Sequence, residues 1–116
     1  MADSITICSA VSSLSDPPVH YADVSGFAGR KFLSFDLHLW AAGSCSITGL
    51  TLVGLTTRGD WAQLGLLGLN SDGNVVLSST DGFMARFDHS RRISKYALLG
   101  TPSAAFSAEV CPLENY

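Results

Sequence analysis

Asp36 and His38 alternate in "RKFLSFDLHLW" (residues 30–40), and a carboxylate beside an imidazole is a usual starting point for acid–base or metal chemistry. In an extended strand the two side chains point the same way. That chemistry needs further participants, and the sequence around the histidines supplies none. His20, His38 and His89 form no H-x-H or H-E-x-x-H pair, and no cysteine adjoins any of them. The Asp36/His38 pair is therefore expected on a solvated strand face or at an interface, with His20 and His89 at the surface. No G-x-S-x-G elbow exists, and no serine or cysteine has a recognisable base in its context. "GLLGLNSDG" lacks the G-x-x-x-x-G-K-[ST] order of a phosphate loop. "NSDGN" offers oxygen atoms but not the calcium-loop pattern, and its Asp72-Gly73 step is read as a turn that needs no ion. No enzyme, cofactor or metal is expected.

Binding chemistry remains. Trp40 and Trp61, with Tyr21 and Tyr96, are the material of a stacking platform for sugars, although a tryptophan that begins a strand is more often a core or interface anchor. Arg58-Gly59-Asp60 spells an integrin-binding tripeptide, but it lies between two apolar runs, residues 45–55 and 61–69. Gly59 supplies the positive φ of a tight hairpin, Asp60 can accept hydrogen bonds from the turn, and Trp61 opens the return strand. The tripeptide is expected to be a corner.

Bulk composition narrows the classes. The chain has 116 residues, enough for one domain with a core. Hydrophobic residues make up 47% and charged residues 15%, against roughly 25% charged in ordinary soluble proteins. Such a deficit suits a subunit whose surface is covered by neighbours. A formal charge of -3, with basic residues scattered, argues against nucleic acid. There is no run of about 18 apolar residues for a helical membrane span. The start "MADSITICSAVSSL" has neither a basic region nor a continuous apolar stretch, so no secretory leader is expected. Cys8, Cys45 and Cys111 are read as free, partly buried thiols, with a disulfide between two of them left open.

Positioning these residues falls to strands. Lys31, Leu33, Phe35, Leu37 and Leu39 alternate with a mostly polar set, the period of a half-buried strand. Strands are also expected at 4–10, 45–55, 61–69, 75–79, 83–87, 93–100 and 104–110, about eight in all, separated by Gly, Asp, Asn and Pro turns. The implied fold is all-β: a single-domain antiparallel sandwich or jelly roll. Residues 1–28 are read as a first strand and an extended arm carrying Pro17-Pro18, and residues 29–116 as the sandwich core. The tail "CPLENY" is read as irregular.

Residues 29–110 resemble small β-sandwich virion proteins of tailed bacteriophages. The likeness rests on "RKFLSFDLHLW", a short turn, "CSITGLTLVGL", the tryptophan-bearing turn "TTRGDWAQLG" and the closing "RRISKYALLGTPSAAFSAEV". It implies a capsid decoration or cement protein that forms homo-oligomers on the virion, binds the major capsid protein or other virion proteins, and carries no catalytic residues. The interface candidates are Phe32 and Trp40, apolar residues on a polar strand face, with Tyr21 and Tyr116 on the arms. A glycan-binding sandwich on a phage tail or spike is the alternative.

Overall fold

The computed structural model describes residues 4–25, 32–90 and 92–114; the side chains of Phe32, Leu33 and Glu114 and all of Tyr116 lie outside the described residues. Among the described residues nine strands follow in order: β1 (Ile5–Val11), β2 (Tyr21–Asp23), β3 (Phe32–Trp40), β4 (Cys45–Thr56), β5 (Trp61–Leu66), β6 (Val75–Leu77), β7 (Phe83–Asp88), β8 (Ile93–Pro102) and β9 (Phe106–Glu114). They form two antiparallel sheets. Sheet A has the order β1-β9-β3-β7, and sheet B has the order β2-β8-β4-β5, with β6 paired to β4.

The pairing is nested. The β4–β5 hairpin is innermost, followed outward by β3 with β7, β2 with β8 and β1 with β9. Successive pairs fall in opposite sheets. A long hairpin wrapped in this way is a jelly roll, which settles the choice left open between a plain sandwich and that fold. β6 is an addition to the scheme.

Alternation builds the core. Phe35, Leu37 and Leu39 of β3 are fully buried, facing Ile47, Leu50 and Leu52 of β4 and Tyr96 and Leu98 of β8 in one inter-sheet cluster. The rings of Phe35 and Tyr96 pack at 4.5 Å between centroids across the two sheets. Each fully buried aliphatic or aromatic side chain of this kind contributes about 1.5–3 kcal/mol relative to exposure.

The ends of the chain depart from the expectation. Within the described part of the N-terminal segment, β1 pairs with β9, the arm carries the short strand β2 paired with β8, and Leu14 packs against the core. The tail is not irregular up to Glu114, because β9 continues there along β3. Pro112 inside that strand has a physical explanation. The β1 ladder ends at Ile5 opposite Val110, so beyond Val110 one side of β9 no longer pairs with β1, and a proline is tolerated where no ladder donor is required. Smaller corrections follow the same lines. β5 stops at Leu66 and β6 at Leu77, both short of the expected ends, while β8 runs on to Pro102 through part of the expected turn.

Candidate interaction surface

The outer face of sheet B is built from β2, β8, β4 and β5. Register aligns Tyr21, Ala97, Val53 and Gln63 in one row across the sheet, and Asp23, Lys95, Leu55 and Trp61 in the next. Ala97 and Val53 are buried although they lie outside the inter-sheet core. Tyr21 and Trp61 start from strands at opposite sides of the sheet, separated by β8 and β4, roughly 14 Å apart at the usual strand spacing. Their ring centroids nevertheless approach to 6.3 Å with planes at 44°. The two rings thus lean inward over the sheet. The Lys95 ammonium lies 4.3 Å from the Tyr21 ring centroid, a cation–π contact. At the end of β2, the Ser25 hydroxyl and backbone N–H donate to Asp23 and hold its carboxyl below the usual range.

This face runs into an apolar edge. β4 bends at a bulge between Thr48 and Thr51, where Gly49 takes φ 67°. Its first part pairs with β6 and its second with β5. Together β5, the intervening loop and β6 expose Leu64, Leu66, Leu69 and Val76, and between Trp61 and Leu77 the only charged residue is Asp72.

Arg58-Gly59-Asp60 is the corner of the β4–β5 hairpin. Gly59 has φ 92°, its N–H donates to the Thr56 carbonyl at 3.0 Å, and the Thr56 N–H donates to the Asp60 carbonyl at 2.9 Å. The Thr56 hydroxyl donates to the Asp60 carboxylate, and this bond is the main cause of its lowered pKa. The turn uses all the features expected of it, and Trp61 opens the return strand.

Sheet A presents a polar outer face. His38 Nδ1 is 3.0 Å from Glu109 Oε2, and Arg86 Nε donates to Asp36 at 3.0 Å. Cys111 lies opposite Asp36 in the ladder. Asp36 and His38 do share a face, yet each is engaged by its own partner from a neighbouring strand. Burial, then the charges of Glu109 and Asp36, push the Cys111 thiol upward, the reverse of what activates a nucleophile. Among the described residues no three His, Cys, Asp or Glu side chains are arranged to hold a metal ion. All three cysteines are free, with Cys8 and Cys45 buried; burial pushes the Cys8 thiol up to about 11.

The expected aromatic platform is only partly assembled. Tyr21 and Trp61 meet on sheet B, but Trp40 lies on sheet A with its ring 4.9 Å from His38. Tyr96 is buried, and its hydroxyl bonds His89 Nδ1 at 2.8 Å. His89 is accordingly half-buried rather than a plain surface residue. Phe32 opens β3 opposite Glu114, with its side chain outside the described residues, as is Tyr116. The apolar edge from Leu64 to Val76 was missed as a site, although the charge-poor run "WAQLGLLGLNSDGNVVL" signals it in the sequence.

The chain matches no protein-family model, no curated protein and no solved structure.

Proposed function

We propose that this protein is a structural virion protein, a capsid decoration or cement subunit that bridges neighbouring subunits of a bacteriophage head. The observation that supports this reading best is the outer face of sheet B together with the charge-poor stretch from Trp61 to Leu77, which exposes Leu64, Leu66, Leu69 and Val76. The jelly roll is a fold used by viral capsid domains as well as by lectins and cupins, and low overall charge suits a chain that works covered by neighbours.

The mechanism is burial of apolar surface. A contact of ordinary size takes about 800 Å² from each partner, and apolar area contributes roughly 25 cal/mol per Å² before the costs of association. Many such contacts repeated over a shell would resist expansion from within. The terminal segments have a smaller part than the sequence suggests, since Tyr21–Asp23 and β9 are engaged in the chain's own sheets. Particles stripped of the protein should release DNA at lower temperature, and re-addition should restore resistance. Equal robustness of stripped and intact particles would refute a stabilising role.

One observation favours a second reading. The Tyr21–Trp61 pair, with Lys95, Asp23 and Gln63 beside it, has the mixed aromatic and polar character of a glycan platform. Hits on a glycan array that vanish in Trp61→Ala would favour a sugar-binding module over a cement protein.

A further inference from the structure

A sheet edge offers unpaired backbone N–H and C=O groups, and native proteins usually blunt such edges with charge, proline, irregularity or short length. Three of the edges here are blunted. The β1 ladder has two register shifts, and Ala10 takes φ 51°. β2 spans three residues. β7 carries Arg86 and Asp88. β5 has one register shift, at Leu64 between Gln63 and Gly65, but it is longer than β2, "WAQLGL" has no charge and no proline, and it exposes Gln63, Leu64 and Leu66.

We propose that β5 pairs antiparallel with β5 of a second copy of this chain, joining the two B sheets into one. Charge placement argues for a copy as the occupant. Arg58 is exposed at the hairpin corner just before β5, and Asp72 is exposed in the loop that connects β5 to β6. A two-fold axis through the middle of β5 reverses the second strand, so Arg58 of each chain lies toward Asp72 of the other, twice in one interface. Such self-complementarity is what a two-fold contact requires. Asp60, the other charge at that corner, stays ionised but is held within the turn by the Thr56 hydroxyl, with Arg58 acting on it only through space. Asp72 accepts the Asn74 N–H at 2.9 Å, and its second carboxylate oxygen remains able to meet a guanidinium. Pairing also brings Trp61 of each copy toward Leu66 of the other, extending the apolar outer face across the axis.

The inference rests on the assembly reading and names its first partner. Sedimentation velocity on the full chain at tens of micromolar tests it. Wild type should run as a dimer. Arg58→Glu alone and Asp72→Lys alone each place like charges together twice and should weaken self-association roughly tenfold or more. An equimolar mixture of the two should recover the dimer, because the heterodimer restores an opposite pair at both contacts. Gln63→Lys, which puts charge on the edge itself, should be monomeric yet still unfold cooperatively, with a melting temperature that no longer rises with protein concentration, which separates loss of pairing from loss of fold. A monomeric wild type, single variants whose dimerisation constant is unchanged, or a mixture that associates no more tightly than either variant alone would each overturn the proposal. Particle stabilisation is a separate readout, so a dimer that fails to protect particles would refute the virion role and leave the edge pairing intact.

Discussion

Tyr21 and Trp61 begin at opposite sides of sheet B and meet above its outer face, their rings 6.3 Å apart. The positions between them, Ala97 and Val53, are buried. Trp61 is thereby a partial cover for its own sheet and, in the proposed cement role, part of the surface that would meet partners. Trp61→Ala should cost about 1–2 kcal/mol in urea denaturation, within the common range for point substitutions, and should abolish particle binding. Trp40→Ala, on the opposite sheet, should leave particle binding unchanged.

Burial of His89, whose ring lies against Tyr96, makes stability depend on pH. Burial lowers the His89 pKa below its ordinary 6.5, so the unfolded chain takes up a proton more readily than the folded one. The contribution of neutral His89 is present above the unfolded pKa and is lost as pH falls through the window below 6.5 toward the folded value. Melting temperature should therefore drop between pH 7 and pH 5. His89→Gln, which does not titrate, should show a smaller drop over the same range. At the other end, burial pushes Tyr96 up to about 12, so stability from its protonated hydroxyl is lost as pH rises above about 10.

The hairpin corner separates folding from recognition. Gly59 at φ 92° is in a backbone region that side chains rarely adopt, and Gly59→Val should destabilise by about 1–3 kcal/mol in thermal or chemical melts. Asp60→Glu should change stability and particle binding little. The Asp60 carboxylate is held by Thr56 within the turn, and the wild-type chain should give no integrin-dependent cell adhesion.

Thiol accessibility follows the burial order. Ellman's reagent at pH 8 should label Cys111 slowly in the native protein, because its thiol is half-buried and its pKa is raised. Cys8 and Cys45 should react only on unfolding. Rapid native labelling of all three would contradict the placement of Cys8 and Cys45 in the core.

Strand rhythm made the sheets legible. Alternation from Phe35 to Leu39 identified the buried face of β3, and Asp-Gly, Pro and Arg-Gly-Asp turns marked most corners. β2 was hidden because a three-residue strand has no period to detect. The continuation of β9 was hidden because Pro112 is a strand breaker except where pairing on one side has ended. The meeting of Tyr21 and Trp61 was out of reach for a different reason. It depends on β8 and β4 lying between their strands in register, which is a tertiary fact.

The central claim is that this jelly roll works by covering and clamping a shell through sheet B. The most direct measurement is thermal release of DNA from virions stripped of the protein and then supplied with wild-type or Trp61→Ala chain. Wild type should raise the release temperature back to that of intact particles, and Trp61→Ala should not. Release at the same temperature with and without the wild-type protein would contradict the account.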